Sequence, residues 1–135
     1  MASELFPSAC VVVNARTAVT VDALDAEGRF RGGVILPGIN LMLHALAANT
    51  FSLKMPPGQY HAFPINNADA VFSGAVQAVS GAIEQMRQRL GTDPTPKCII
   101  SGGAADEIAP HLTAPVEVVD NLVIEGVLAL ATADQ

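Results

Sequence analysis

Hydrophobic positions along the first third of the chain fall into three short runs separated by polar turns. Val11, Val12 and Val13 are contiguous, Val19 and Val21 alternate with Thr20 and Asp22, and Phe30 leads into Val34, Ile35 and Leu36. β-Branched runs of this length predict strands over 9–14, 17–25 and 29–36. An Asn14-Ala15-Arg16-Thr17 turn joins the first pair. Asp25-Ala26-Glu27-Gly28 joins the second, where Gly28 supplies the positive φ that a short hairpin wants. After Pro37-Gly38 the period lengthens: Leu41, Leu43, Leu46 and Ala47 predict a helix over 38–49.

Residues 51–65, with Pro56, Pro57, Gly58 and Pro64, read as a surface loop of the length that often carries function. Asn66 or Asn67 then caps a helix over 68–90, whose apolar positions Val71, Ala75, Ala78, Val79, Ala82, Ile83 and Met86 repeat near 3.6 residues. Gly74 and Gly81 lie inside it, each costing about 1 kcal/mol relative to alanine, and small residues there permit close approach of another helix or of sheet backbone. Gly91 to Pro96 breaks the helix. A buried strand at 97–101, a Gly102-Gly103 turn, a small helix at 104–109 ended by Pro110, a strand at 116–119 and a helix at 122–132 complete the order. Such an order describes one α/β domain over 1–135, a meander extended by crossovers.

Composition narrows the function classes. Half of the 135 residues are apolar and the net charge is -6, which excludes disorder and argues against nucleic acid. The seven basic residues are scattered, and the close pairs Arg29/Arg31 and Arg87/Arg89 read as decoration of solvated faces. No apolar run reaches the length of a membrane span and the amino terminus has no signal-peptide pattern, so the expected location is cytoplasmic, with no membrane partner. Cys10 and Cys98 flank β-branched runs and read as buried, inert thiols. His44, His61 and His111 have no metal-ligand spacing, and of Asp22 and Asp25 one is expected to face solvent. Asp106 and Glu107 read as first-turn residues complementing a helix dipole. No residue is assigned as catalytic.

The stretch Val11-Val12-Val13-Asn14-Ala15-Arg16-Thr17-Ala18-Val19-Thr20-Val21-Asp22, followed by Gly32-Gly33-Val34-Ile35-Leu36-Pro37-Gly38, resembles type III pantothenate kinases, also known as the Bvg accessory factor family. The family run there is typically Val-Val-Asp-x-Gly-Thr-Ala-x-Thr-x-Asp. Asn66-Asn67-Ala68-Asp69-Ala70, Ser101-Gly102-Gly103 and Leu122-Val123-Ile124-Glu125-Gly126-Val127 follow in the family's order, from about residue 9 to 131. The resemblance is to the carboxy-terminal half of the family. It implies an α/β fold, a single actin-like (ribonuclease H-like, acetate/sugar kinase–Hsc70–actin) lobe. Its mixed sheet would combine an antiparallel three-strand meander with parallel strands and flanking helices.

The implied reaction moves the γ-phosphate of ATP to the hydroxyl of pantothenate, opening coenzyme A synthesis, with Mg and a monovalent cation (K or NH4). By resemblance Thr17 contacts the nucleotide phosphates, and Gly102 and Gly103 line the adenosine side, although strand-Gly-Gly-helix is also a plain tight turn. Asn67 stands where the family's threonine touches pantothenate, with a helix cap as the equally open reading. Asn14 replaces the aspartate that helps hold the cation, keeping an oxygen and losing the charge. Arg16 replaces a glycine: it either clamps phosphate in place of the cation or blocks the approach, and blocking or indifference is the favoured reading. The family's Asp-x-Gly-Asn-Thr phosphate loop and its Gly-x-Asp-Arg segment with the catalytic base are not in this sequence. The chain alone is therefore expected to be inactive, pairing as a homodimer or with a missing amino-terminal lobe. Two alternatives stand beside this reading. One is a non-catalytic accessory or regulatory protein acting through protein contacts; the other is half of a split kinase completed in trans.

Overall fold

The computed structural model describes residues 9–49, 57–121 and Gly126. Five strands form one mixed sheet: β1 (Cys10–Ala15), β2 (Ala18–Leu24), β3 (Phe30–Pro37), β4 (Lys97–Ser101) and β5 (Val116–Val118), in the order β3-β2-β1-β4-β5. β1 lies at the centre because Val11, Val12 and Val13 are all fully buried, which only a strand covered on both faces achieves. β2 pairs antiparallel with both β1 and β3, and β1–β4 and β4–β5 are parallel. The expected meander with added parallel strands is thus present. Gly28 closes the second hairpin at φ 79, and Asp25 Oδ1 accepts from the amides of Glu27 (3.0 Å) and Arg29 (2.9 Å), so Asp25 shapes the turn.

Helices α1 (Ile39–Asn49), α2 (Asn67–Leu90) and the short α3 (Ala105–Ile108) follow, with a 3-10 turn at Ala109–His111 where Pro110 was expected to end the helix. Alternation along the strands sorts the core. Val11, Val13, Ala15, Val19, Val21, Cys98 and Ile100 face Ile39, Val76, Val79, Ile83 and Ile108 of the helices. Cys10, Val12, Leu24 and Ile99 form a smaller cluster on the other face with Phe30 and Val119. Both thiols are free and buried. Burial pushes Cys10 up to about 11 and Cys98 up to about 12, which keeps them protonated and unreactive.

Asn66, not Asn67, caps α2: its Oδ1 accepts from Asp69 N at 2.9 Å, and Asn67 is the first helical residue. The loop before it is fastened to the helix face, with Gln59 N donating to Asp69 Oδ1 (2.8 Å) and His61 N to Ser73 Oγ (3.0 Å). A Cβ at Gly74 or Gly81 would meet nothing within 4 Å among the described residues, so no described helix or strand packs closely on either. Arg87 corrects an expectation. It is 2% exposed and donates to the carbonyls of Pro96, Thr113 and Pro115 and to Glu84, tying α2 to the segments that enter β4 and β5. Of the helix expected over 122–132, only Gly126 falls within the described residues, and it is helical. No helix among the described residues is long and apolar enough to cross a membrane.

Candidate functional site

The turn between β1 and β2 stands at the end of the sheet where β4 also ends, because Asn14 is in register with Thr20 on one side and Ser101 on the other. Arg16 and Thr17 form its tip, both exposed. Thr17 O accepts from Gly38 N at 2.7 Å, which fixes the start of α1 against the hairpin. Gly38 must lack a side chain, since a Cβ there would collide with the carbonyls of Arg16 and Thr17. The first internal bond of α1 is Met42 N to Gly38 O, so the amides of Ile39, Asn40 and Leu41 precede the helical ladder.

These elements enclose an open cleft of about 530 Å³ lined by Ala15, Arg16, Thr17, Asn40, His44, Gly103 and Glu107, among others. Thr17 and Gly103, from segments far apart in sequence, meet here. Gly102 does not line the cleft. At φ 107 it presses against Ala15, whose carbonyl would strike a Cβ and also accepts from Ala104 N at 3.2 Å. Gly102 therefore shapes the turn, and Gly103 is the residue whose backbone is presented. Asn40 and His44 were missed by sequence reasoning; their i, i+4 spacing puts both on one face of α1, and only the hairpin contact shows which face matters. Glu107 was read as a dipole partner and also stands in the cleft wall.

The electrostatics favour an anion. The first turn of α1 has no acidic residue to offset its partial positive charge, Arg16 adds a full one, and Glu107 is the single carboxylate among the lining residues. Thr17 and Asn40 add neutral hydrogen-bonding groups. The arrangement can hold phosphate groups by amides, a hydroxyl and a guanidinium. Among the described residues no hydrogen bond joins the Thr17 hydroxyl to His44 or Glu107, and no group of three or more His, Cys, Asp or Glu is suited to a metal.

Two other candidates lie elsewhere. Asn67 borders a separate, mostly apolar groove between α1 and α2 with Met42, Leu46, Val71 and Gly74. Asn14 alternates with Ala15 on β1 and so points to the opposite face of the sheet from the cleft. Its Oδ1 is buried with no hydrogen-bond partner. Asp22 shares that face but pairs across with Val12, and burial raises its pKa above 3.8.

A sequence profile of type III pantothenate kinases matches residues 1–89. The chain belongs to the type III pantothenate kinase family. Type III pantothenate kinases of Acidovorax ebreus and Methylibium petroleiphilum are 48% and 50% identical to it over 125 residues, covering 90% of this chain and 48% of each relative. The Aromatoleum aromaticum protein of the same name is 47% identical over 133 residues, 98% of this chain and 55% of its own length. The chain thus spans about half the length of these relatives. Among solved structures, a Campylobacter jejuni protein described as a Baf family transcriptional activator superposes with TM-score 0.68 at 23% identity, over 98% of this chain and 61% of that one. The Alp12 filament structure matches with TM-score 0.54 at 11% identity, over 94% of this chain and 48% of that one. Both show the same mixed α/β fold. The monovalent cation that the family resemblance implies finds no carboxylate at this position: Asn14 offers a neutral, buried and unpartnered oxygen on the face away from the cleft, with Thr20 and Ser101 in register beside it.

Proposed function

We propose that this chain is the carboxy-terminal, actin-like lobe of a type III pantothenate kinase and provides the nucleotide-phosphate face of the site. The strand order β3-β2-β1-β4-β5, a meander followed by parallel strands, is the lobe architecture the resemblance implies. The observation that carries the reading is the convergence of Thr17 and Gly103 on one cleft with a single carboxylate in its wall. Thr17 bonds phosphate oxygens through its hydroxyl, the first turn of α1 supports the same charge, and Gly103 lets the nucleoside lie along bare backbone. The reaction is transfer of the γ-phosphate of ATP to pantothenate, in the cytoplasm, with Mg carried in on the nucleotide.

Phosphoryl transfer depends on positioning and charge stabilisation from both sides of the transferred group. This lobe supplies one side. The base and the second phosphate-binding loop come from an amino-terminal lobe, and the chain alone binds without turning over. Asn67 stays outside the nucleotide site, in its own groove.

Calorimetric titration of the 135-residue chain with ATP and Mg tests the reading. The expected result is a dissociation constant below about 1 mM, near -4 kcal/mol, weakened in Thr17→Val, with pantothenate phosphorylated only after an amino-terminal lobe from a relative is added. Absence of heat and of any melting shift overturns it.

A further inference from the structure

Arg16 is the one cation in the wall of the cleft, and among the described residues its side chain has neither an ion pair nor a hydrogen bond. Arg29 is engaged by Asp25 and Glu27, and Arg87 by Glu84 and backbone carbonyls. Arg16 stands at its turn without backbone strain, since every described residue with positive φ is a glycine. Nor does it fill the site: the volume of about 530 Å³ is what remains with Arg16 in place as a wall. That leaves room for a ligand beside Arg16. Arg16 and Thr17 share the cleft wall with Ile39, Asn40 and Leu41 of the acid-free first turn of α1.

Resting on the reading of this cleft as a nucleotide site, we infer that Arg16 is a phosphate-binding residue. Its guanidinium supplies positive charge to the phosphates directly, so the chain takes a nucleoside polyphosphate without potassium or ammonium. The chemistry suits the position. Guanidinium is charged at every working pH and offers a planar fork that meets two phosphate oxygens at once. Asn14, neutral and on the other face of the sheet, brings no carboxylate that would hold a cation in the cleft.

The test is titration of the chain and of Arg16→Gly, Arg16→Lys and Asn14→Asp with ATP, with inorganic tripolyphosphate and with adenosine. Each series is run in potassium, ammonium or tetramethylammonium buffer at constant Mg, with melting temperatures recorded alongside. The expected result is that the unaltered chain binds ATP and tripolyphosphate equally in every buffer. Arg16→Gly weakens both about tenfold and leaves adenosine and the melting temperature unchanged, with Arg16→Lys in between and Asn14→Asp no different from the parent. Binding that requires potassium or ammonium overturns the inference while leaving the nucleotide site standing, as does an Arg16→Gly chain that binds ATP as well or better. Failure of the unaltered chain to bind ATP in any buffer overturns the cleft reading and the inference with it.

Discussion

Two arginines show how differently one side chain is used at the two ends of this molecule. Arg87 is 2% exposed and every direction of its fork is answered: Nε and Nη2 reach Pro96 O at 2.8 and 2.6 Å, Nη1 reaches Thr113 O at 2.5 Å and Glu84 Oε1 at 2.7 Å, and Nη2 also reaches Pro115 O at 3.0 Å. Arg16 is exposed at the mouth of a cleft and answers to nothing among the described residues. A buried cation surrounded by acceptors organises the backbone that offers them, because its partners would otherwise be left unpaired. A cation in a polar cleft that none of the described acceptors engages is available to a ligand. The difference separates scaffold from site more sharply than residue type does.

The largest effect that this comparison predicts is on stability. Arg87→Ala leaves three backbone carbonyls and the Glu84 carboxylate without their shared donor, and removing one partner of a buried charged network costs about 3–5 kcal/mol. Urea unfolding should show a loss of that size. Arg87→Lys should lose part of it, since an ammonium cannot span the same acceptors. A loss below about 1 kcal/mol would place Arg87 with ordinary surface ion pairs and dissolve the contrast.

Gly102→Ala comes next, and it tests whether the site end has scaffold residues of its own. The new Cβ would sit at φ 107 and against the Ala15 carbonyl, a combination that costs about 1–3 kcal/mol. Because Ala15 lines the cleft, ATP affinity should fall with stability. Gly103→Ala meets nothing within 4 Å among the described residues and should leave stability alone, so the pair of melting curves separates the turn-former from the presented backbone.

The sequence was most readable where one physical signal acted alone. The β-branched run Val11 to Val13 reads as a strand, and the apolar positions of α2 repeat near 3.6 residues over most of its length. Arg87 was misread because its acceptors, at Pro96, Thr113 and Pro115, are backbone carbonyls that no side-chain pattern advertises. One clue was present: position 87 falls a turn after Ile83, on the buried stripe. Gly74 and Gly81 meet no packed neighbour among the described residues, so this fold gives their size no role of its own. At the candidate site, the order of motifs named Thr17 and Gly103, which the fold brings to one cleft. It did not name Asn40, His44 or Glu107, because a helix face becomes a wall only once the hairpin is folded onto it.

Acidification offers a smaller effect on the same clasp. Burial works against the charge of Glu84, but hydrogen bonds from Thr113 and Arg87 outweigh it and hold the carboxyl below its ordinary 4.5. A carboxylate depressed in the folded state contributes stability above its unfolded value, and that contribution is lost as pH falls through the folded one. The melting temperature should therefore be level above about pH 5 and decline progressively below 4.5. Glu84→Gln should flatten the part of that decline that belongs to the clasp. An acid limb identical in the variant would show that Arg87 is held by carbonyls alone.

The smallest predicted effect is the most discriminating. Arg16→Ala removes an exposed side chain that has no partner among the described residues, so stability without ligand should change by no more than about 0.5 kcal/mol. Ligand should expose the difference. At a concentration of ATP about 100 times its dissociation constant, binding stabilises the parent chain by about 2.7 kcal/mol. If Arg16 is worth a factor of about ten in affinity, the same ATP stands at only about ten times the variant's constant, and the stabilisation falls to about 1.4 kcal/mol. Arg87 variants should behave in the opposite way, starting far lower and rising with ATP by as much as the parent does. Equal losses in the two variants without ligand would mean that Arg16 also holds the hairpin, and the division between scaffold and site would have to be drawn elsewhere.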